Sequence, residues 1–237
     1  MNELIDRILN LIAPHICKGC SVSGAVLCER CEIHILNKKY TQCVICEVHL
    51  DAADLINRGN MCKKCSKSAP FDRIFAVGAR RGNLRKLVGD FKYNSERGAA
   101  GKIVKLLDKT LSKEIPTDMH VVPITTVAKN VRLRGFDHMR LIGKKLARKR
   151  KLPFSPNILL RINNSTQHSQ TNPAARRLNA EKSLAMNPRA KVPRKILLLD
   201  DIFTTGATVE TAAKLLREAG AQEIWLLIVA RQPSRKK

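Results

Sequence analysis

The spacing of apolar residues is most informative near the C-terminal end of the chain. Ile196–Leu199 is a short continuous apolar run, which is typical of a buried strand. Val209–Ala219 carries apolar residues at helical spacing, and Gly220 follows it as a C-terminal cap. This stretch therefore predicts a strand, a turn and a helix in succession.

Similar patterns predict further strands and helices upstream and at the end of the chain. Apolar runs predict strands in RIFAVGARRG (73–82), HVVPITT (120–126) and EIWLLIVA (223–230). Helical spacing predicts helices in NLRKLVGDFKYNSERG (83–98), AAGKIVKLLDKTLSK (99–113) and around Met139–Lys149. The polar segment 163–187 predicts a long exposed excursion. Because strands alternate with helices, we expect an α/β fold with a mainly parallel central sheet.

All eight cysteines lie in the first 65 residues, as four Cys-x-x-Cys pairs. Two such pairs supply four thiolates for one tetrahedral zinc ion, and this spacing does not favour a disulfide framework. Sequential pairing is the simplest arrangement, and an interleaved one stays open. The predicted ligands of structural zinc are Cys17, Cys20, Cys28, Cys31, Cys43, Cys46, Cys62 and Cys65. We therefore expect a zinc-ribbon (cysteine-knuckle) domain at 1–68 and an α/β domain at 69–237.

The first 17 residues, MNELIDRILNLIAPHIC, predict a short amphipathic helix that packs on its own protein, with a partner-binding helix as the alternative. Glu3 and Asp6 are unlike the basic start of a secretory signal. No apolar run approaches the ~18–20 residues that span a membrane. We expect a cytoplasmic protein without membrane insertion.

Charge adds a candidate partner. The net charge is +24, and residues 71–237 carry 35 Lys and Arg against 13 Asp and Glu. The electric field of this excess positive charge attracts polyanions such as nucleic acid. The alternative is that the charge only contributes to solubility. Aromatic residues are few, so phosphate contacts with weak sequence preference are expected. The candidate DNA-binding residues are Lys144, Lys145, Arg148, Lys149, Arg150, Arg176 and Arg177.

The segment DDIFTTGAT places two acids at the carboxyl end of the predicted strand, where open α/β sheets bind ligands. A Walker B strand is not supported, because the chain lacks G-x-x-x-x-G-K-[ST]. A receiver domain is not supported either, since no aspartate follows Asp201. A sugar-phosphate site fits better, because carboxylates accept hydrogen bonds from ribose hydroxyls and a helix N-terminus binds phosphate. Its predicted residues are Asp200, Asp201, Thr204, Thr205, Gly206, Ala207 and Thr208.

The run LLLDDIFTTGAT resembles the phosphoribosyl-pyrophosphate (PRPP) signature of the type I phosphoribosyltransferases. The resemblance implies that the two acids hold the ribose 2′- and 3′-hydroxyls and that the threonine-glycine loop holds the 5′-phosphate. It also implies a phosphoribosyltransferase-like fold and Mg²⁺ bound with PRPP.

The wider pattern resembles the ComF family of bacterial competence proteins over residues 15–232. The motifs that carry the resemblance are the cysteine module, FD-RIFAVGARRGNLRKLVGDFKY, VVPI, RLRGFDHMRLIGKKLA and Q-HSQTNPAARRLNAEKSL. The resemblance implies a zinc ribbon joined to a phosphoribosyltransferase-like domain that acts in DNA uptake for natural transformation. Single-stranded DNA, PRPP or ribose 5-phosphate, and a DNA-uptake helicase or other competence proteins are the implied partners. The alternative is an active salvage phosphoribosyltransferase with a zinc module for assembly.

The chain departs from the family pattern at Asp137, where Asn is usual, and at His138, where Gln is usual. VPITT also lacks the second proline of the pyrophosphate-side loop. An acid at position 137 is expected to repel polyphosphate unless Mg²⁺ or a nearby arginine intervenes.

If the chain is an enzyme, the reaction would transfer a phosphoribosyl group to a nucleobase nitrogen. The candidates for stabilising the leaving pyrophosphate are Lys92, Arg132 and Arg134. No residue stands out as a general base. Phe203 is the best candidate for stacking on a base, and a core position is the alternative.

Overall fold

The computed structural model describes residues 15–93, 99–162 and 183–234 of the 237-residue chain. Residues 1–14 of the predicted N-terminal helix and residues 163–182 of the predicted excursion lie outside these residues. The helix prediction is wrong for residues 15–17, which are not helical, and the excursion prediction is wrong for Leu184–Met186, a strand in which Leu184 is buried. Within the described residues, the strands are β1 (Arg73–Ala79), β2 (His120–Pro123), β3 (Leu159–Arg161), β4 (Leu184–Met186), β5 (Lys195–Phe203) and β6 (Glu223–Arg231). The helices are α1 (Glu29–Asn37), α2 (Ala52–Arg58), α3 (Lys63–Ser66), α4 (Gly82–Tyr93), α5 (Ala99–Thr110), α6 (Ala128–Arg134), α7 (His138–Arg150) and α8 (Ala207–Glu218).

Four of the strands form a parallel sheet in the order β1-β6-β5-β2. Leu198 of β5 is in register with Leu226 of β6 on one side and with Val122 of β2 on the other. The short strands β3 and β4 pair antiparallel in a separate two-stranded sheet. The prediction of a mainly parallel central sheet is therefore confirmed.

Both faces of the parallel sheet are covered, which explains why its strands read as continuous apolar runs. In β5, Leu197 and Leu199 belong to the core shared with α4, α5 and α7. Ile196 and Leu198 belong to the opposite core, which includes the apolar face of α8. Side chains of successive strand residues point to opposite faces, so one short run of β5 supplies both cores.

The strand–turn–helix predicted near the C-terminus is present, with slightly different bounds. β5 continues to Phe203, so the two acids lie inside the last part of the strand. At the other end of α8, Gly220 has φ +102°. Its N–H donates to Arg217 O, and the next N–H donates to Leu216 O. This is a Schellman ending, and a left-handed residue at that position favours glycine.

The cysteine-rich segment packs on both sides of the sheet edge formed by β1. Leu27 and Cys31 are buried in the core that contains α4 and α5. Val44 and Met61 are buried in the opposite core, with β1 side chains such as Ile74. The division at residues 68 and 69 stays a prediction, because the hydrophobic cores are continuous across it.

The outer edge of β1 is closed by the pair Gly59–Asn60. Asn60 N–H donates to Ile74 O at 2.5 Å, and Ala76 N–H donates to Asn60 Oδ1 at 2.9 Å. Asn60 Nδ2 donates to Tyr40 O at 2.5 Å. The side chain of Asn60 is buried, and its amide replaces part of the ladder that a neighbouring strand would provide.

Replacing Asn60 with Ala should destabilise the protein by about 2–4 kcal/mol, because the buried N–H of Ala76 and the carbonyl of half-buried Tyr40 lose their partners. Urea denaturation followed by circular dichroism measures the free energy of unfolding. The control is Asn37→Ala, an exposed position where a change within about 0.5 kcal/mol is expected. A loss below about 1 kcal/mol for Asn60→Ala would show that water satisfies this edge.

Candidate functional site

The two acids of DDIFTTGAT have different environments. Asp201 is buried, with 8% of its surface exposed, and its Oδ2 lies 2.7 Å from Nε2 of His138. Asp200 is half-buried, and its Oδ1 accepts the backbone N–H of Asp201 at 2.8 Å. As neighbours in a strand they belong to opposite faces. The sequence pattern does not distinguish the two acids, but in the structure α7 covers Asp201 more than Asp200.

Both departures from the family pattern are part of one hydrogen-bond network. Asp137 is the N-cap of α7, and its Oδ1 accepts the N–H groups of Met139 at 3.0 Å and Arg140 at 3.1 Å. Thr126 Oγ1 donates to the same oxygen at 2.9 Å. The carboxylate of Asp137 is thus bound to the start of α7, and the next residue, His138, is thereby placed against Asp201.

These acids border a cavity of about 210 Å³ at the carboxyl ends of β2 and β5. Its lining includes Thr125 from the loop after β2, Asn130 from α6 and Thr208 from α8. Ligands of α/β proteins bind at this edge of the sheet. The structure therefore brings the acids and the last threonine of the predicted site to one cavity.

Arg161 also lines this cavity, and sequence reasoning did not identify it. Its Nη1 atom is buried and has no hydrogen-bond partner among the described residues. Burial lowers the pKa of its guanidinium, and the negative charge of Asp200 opposes that shift. A buried cationic donor without a partner is costly, so this atom favours an anionic ligand in the cavity.

The loop between β5 and α8, which we call the phosphate loop, contains the residues predicted to bind the 5′-phosphate, 204–208. Gly206 has φ +84°, and a Cβ there would lie 2.5 Å from Cζ of Phe203. Thr204 is exposed and Thr205 is half-buried. The first N–H groups of α8 lack partners within the helix, as at any helix N-terminus, and can bind an anion. Phe203 is only 2% exposed, so it is a core residue beneath the loop and cannot serve as a stacking platform.

Arg231, the last residue of β6, connects this loop to the cysteine-rich segment. The guanidinium is buried and donates to Val44 O at 2.5 Å, to Thr204 O at 2.9 Å and to Glu47 Oε1 at 2.9 Å. It also lies 5.2 Å from the ring centroid of Phe203. Val44 lies within the Cys43–Cys46 knuckle and Glu47 follows it, so one side chain contacts both a cysteine knuckle and the back of the phosphate loop.

The eight thiols form two groups, each with its sulfur atoms within 4.8 Å of one another. The first group is Cys17, Cys20, Cys28 and Cys31, and the second group is Cys43, Cys46, Cys62 and Cys65. Tetrahedral Zn–S bonds of about 2.3 Å place sulfur atoms about 3.8 Å apart. The Cys20–Cys28 and Cys46–Cys62 sulfur distances are 3.6 and 3.7 Å. Both groups therefore fit a structural metal ion such as zinc, with sequential pairing of the knuckles.

Backbone amides prepare individual thiols for metal binding. Burial alone would raise the pKa of Cys17, but hydrogen bonds from the backbone of Cys28, Cys20 and Gly19 lower it to about 6. In the second group, burial alone would raise the pKa of Cys62, but hydrogen bonds, first of all from the backbone of Cys65, outweigh burial and lower that pKa. Since the thiolate is the metal ligand, these contacts favour the coordinating form.

Comparison with known proteins agrees with this geometry. The phosphoribosyl transferase domain family matches residues 146–237. Competence protein F of Haemophilus influenzae is 25% identical over 86% of this chain and 90% of its own length. Competence protein ComFC of Streptococcus pneumoniae is 48% identical over 20% of this chain and 22% of its own length. Competence protein ComFC of Bacillus subtilis is 29% identical over 58% of this chain and 55% of its own length.

The chain is thus similar to the competence proteins of the ComF family. The resemblance drawn from its motifs is confirmed, as is the fold class of a phosphoribosyltransferase-like domain behind a cysteine module. No helix in the described ranges is both long enough and apolar enough to cross a membrane.

Around the acid-lined cavity, the pyrophosphate candidates are described only in part. Arg132 is exposed on α6. Phe91 packs against the rings of Phe136 and His138, both with centroids 5.9 Å away, so the last turn of α4 lies beside the site. The backbone of Lys92 belongs to that turn, but the side chains of Lys92 and Arg134 lie outside the described residues.

The DNA-binding candidates on α7 fall into two groups. Lys144, Lys145 and Arg148 are exposed. Lys149 lies 3.5 Å from Asp108, whereas Arg150 donates from Nε to Asp108 Oδ1 at 2.5 Å and from Nη1 to Ser112 O at 3.2 Å. The guanidinium of Arg150 thus joins α7 to α5. Arg176 and Arg177 lie outside the described residues.

The two carboxylates should respond differently to substitution. Asp200→Asn should weaken Mg²⁺-PRPP binding at least about tenfold with little change in the melting temperature, because the carboxylate charge at the cavity serves the ligand and Asn keeps an oxygen that can accept the N–H of Asp201. Asp201→Ala should also cost about 1–3 kcal/mol of stability, because buried His138 loses an acceptor.

Calorimetry and thermal unfolding measure the two effects, with the exposed Glu218→Gln as a charge-matched control for Asp200→Asn. Equal stability losses for the two aspartate variants would contradict the distinction between them.

Proposed function

We propose that this protein is a ComF-like competence protein for natural transformation. It binds single-stranded DNA through a basic surface and PRPP or ribose 5-phosphate at the loop after β5. The single observation that carries the proposal is the cavity bordered by Asp200, Asp201 and Arg161 at the start of α8, in a homologue of competence proteins.

The sugar-phosphate part rests on complementary chemistry. The Asp200 carboxylate lines the cavity and can accept hydrogen bonds from ribose hydroxyls, and Asp201 is held in place by His138. The 5′-phosphate would lie against the Thr204–Thr208 loop, where backbone N–H groups and the helix dipole favour an anion. The unpartnered Nη1 of Arg161 supplies a cation for a second anionic group. Mg²⁺ bound with PRPP would neutralise charge on its pyrophosphate.

The DNA part rests on charge. The exposed residues Lys144, Lys145 and Arg148 lie on α7, whose first residue, His138, contacts Asp201. At 1.5 Å per residue they are about 9–15 Å from that contact along the helix axis. Cations spaced in this way suit successive phosphates of a strand, and such contacts carry little sequence preference. Other competence proteins, including a DNA-uptake helicase, are the protein partners proposed.

Active phosphoribosyl transfer in nucleotide salvage is the second candidate. The observation that favours it is the combination of paired acids, Thr208 and Arg161 around one cavity. An enzyme would release pyrophosphate when a free nucleobase is added to Mg²⁺-PRPP. In the binding role, PRPP is retained unchanged in the presence of bases.

The test is calorimetric titration of Mg²⁺-PRPP, together with fluorescence anisotropy of a labelled single-stranded oligonucleotide between 50 and 200 mM salt. Three phosphate contacts predict a loss of DNA affinity of about tenfold or more over this range. The triple variant Lys144→Gln, Lys145→Gln, Arg148→Gln should bind DNA more weakly, and Asp200→Asn should not.

DNA affinity that is independent of salt would contradict the DNA role. Absence of PRPP binding would contradict the sugar-phosphate role, and release of pyrophosphate with a free base would favour the salvage enzyme.

A further inference from the structure

A second and larger cavity, of about 410 Å³, lies at the carboxyl end of β1. Val77 and Ala79 form its base, the end of α1 and the segment after it form one wall, and the start of α4 forms the other. It lies where the cysteine-rich segment meets the sheet, outside the acid-lined cavity. Its volume is within the range of about 300–1,000 Å³ that organic ligands occupy.

The lining of this cavity is cationic. Lys38, Lys39 and Arg81 are exposed at its rim, and no carboxylate is among its described lining residues. Asn83 lines it in the first turn of α4, a helix of 12 residues. The cations and the positive end of the helix dipole both make the electrostatic potential of the cavity more positive, so the cavity favours a phosphate ester.

The interior of the cavity suits a flat, largely apolar group. Ile35, Val77 and Leu84 are buried beneath it, and the half-buried Tyr40 forms part of its side. Burial raises the pKa of Tyr40 to about 12, so its phenol stays neutral and can donate a hydrogen bond. An aromatic ring next to cations is the combination that binds a base and its phosphate in single strands.

An adjoining cavity of about 300 Å³ continues along the same sheet edge. It shares Tyr40 and Arg81 with the larger one and reaches Ser234, just after β6. Glu47 also lines it, and its Oε1 accepts hydrogen bonds from Arg231 and Ser234. Because neighbouring strands are about 4.8 Å apart, the end of β1 lies about 10 Å from the end of β5. The two cavities thus extend from the cysteine segment toward the phosphate loop, as a linear ligand would require.

We propose that the cavity between the cysteine segment and the end of β1 binds a nucleotide unit of a single-stranded nucleic acid. Its phosphate lies against Lys38, Lys39 and Arg81, and its base lies against Tyr40. This inference rests on the proposed function, since it locates where the strand is held. A free mononucleotide offers the same chemistry, but the continuous second cavity favours a polymer.

The test compares two triple variants of the full chain that remove equal charge. The cavity variant is Lys38→Gln, Lys39→Gln, Arg81→Gln. The control is Lys109→Gln, Lys113→Gln, Arg194→Gln. These three exposed residues lie near the opposite end of the sheet: Lys109 in the last turn of α5, Lys113 just after it and Arg194 just before β5. Anisotropy with a labelled 12-nucleotide strand should show at least tenfold weaker binding for the cavity variant and less than threefold for the control.

A second pair of variants tests the aromatic contact without changing charge. Tyr40→Leu should weaken strand binding about fivefold or more, whereas Tyr40→Phe should retain most of it, because stacking needs the ring. Zinc content and circular dichroism verify that each variant is folded. Equal affinity of Tyr40→Leu and wild type would overturn the base contact.

The outcomes separate this inference from the proposed function. If wild type binds the strand and both triple variants bind it equally, the cavity assignment is overturned and DNA binding stands. If wild type does not bind the strand, both are overturned. Thymidine 5′-monophosphate that binds as tightly as the strand and displaces it would overturn the assignment to a polymer.

Discussion

The hydrogen bonds of the buried Arg231 guanidinium fix the cysteine-rich segment against the phosphate loop, and the rest of the site depends on them. The guanidinium donates to carbonyls on the cysteine knuckle and on the phosphate loop, and it pairs with Glu47. A buried charge is tolerated only when it is paired and hydrogen-bonded. Movement of these acceptors would therefore destabilise this edge of the sheet. The second cysteine group and the phosphate loop therefore support each other through one side chain.

This dependence gives the cysteine-rich segment a role beyond its own folding. The segment closes the open edge of β1 through Asn60 and contributes Leu27 and Val44 to the two opposite cores. A metal ion in each group would order a segment that packs against both faces of the sheet. The carboxyl edge of the sheet, where the acids, the loop and the cationic cavity lie, is thus built jointly by the two parts of the chain.

Local patterns were enough to predict the parallel sheet, helix α8 and the cysteine pairs, because each is encoded by residues close in sequence. The contacts that shape the site join distant residues, and no periodicity marks them. Arg231 and Val44 are 187 positions apart, and His138 and Asp201 are 63 positions apart. Arg161 was counted only as part of the basic excess, since its short strand gave no sign that it faces a cavity.

The most direct test of this account is hydrogen exchange of the backbone amides at 204–208 in two cysteine variants. Cys62→Ser with Cys65→Ser disrupts the group that contacts Arg231, and Cys17→Ser with Cys20→Ser disrupts the other. Faster exchange of the loop amides is predicted for the first variant and little change for the second. Unchanged loop exchange after loss of metal from the second group would contradict the coupling of that group to the phosphate site.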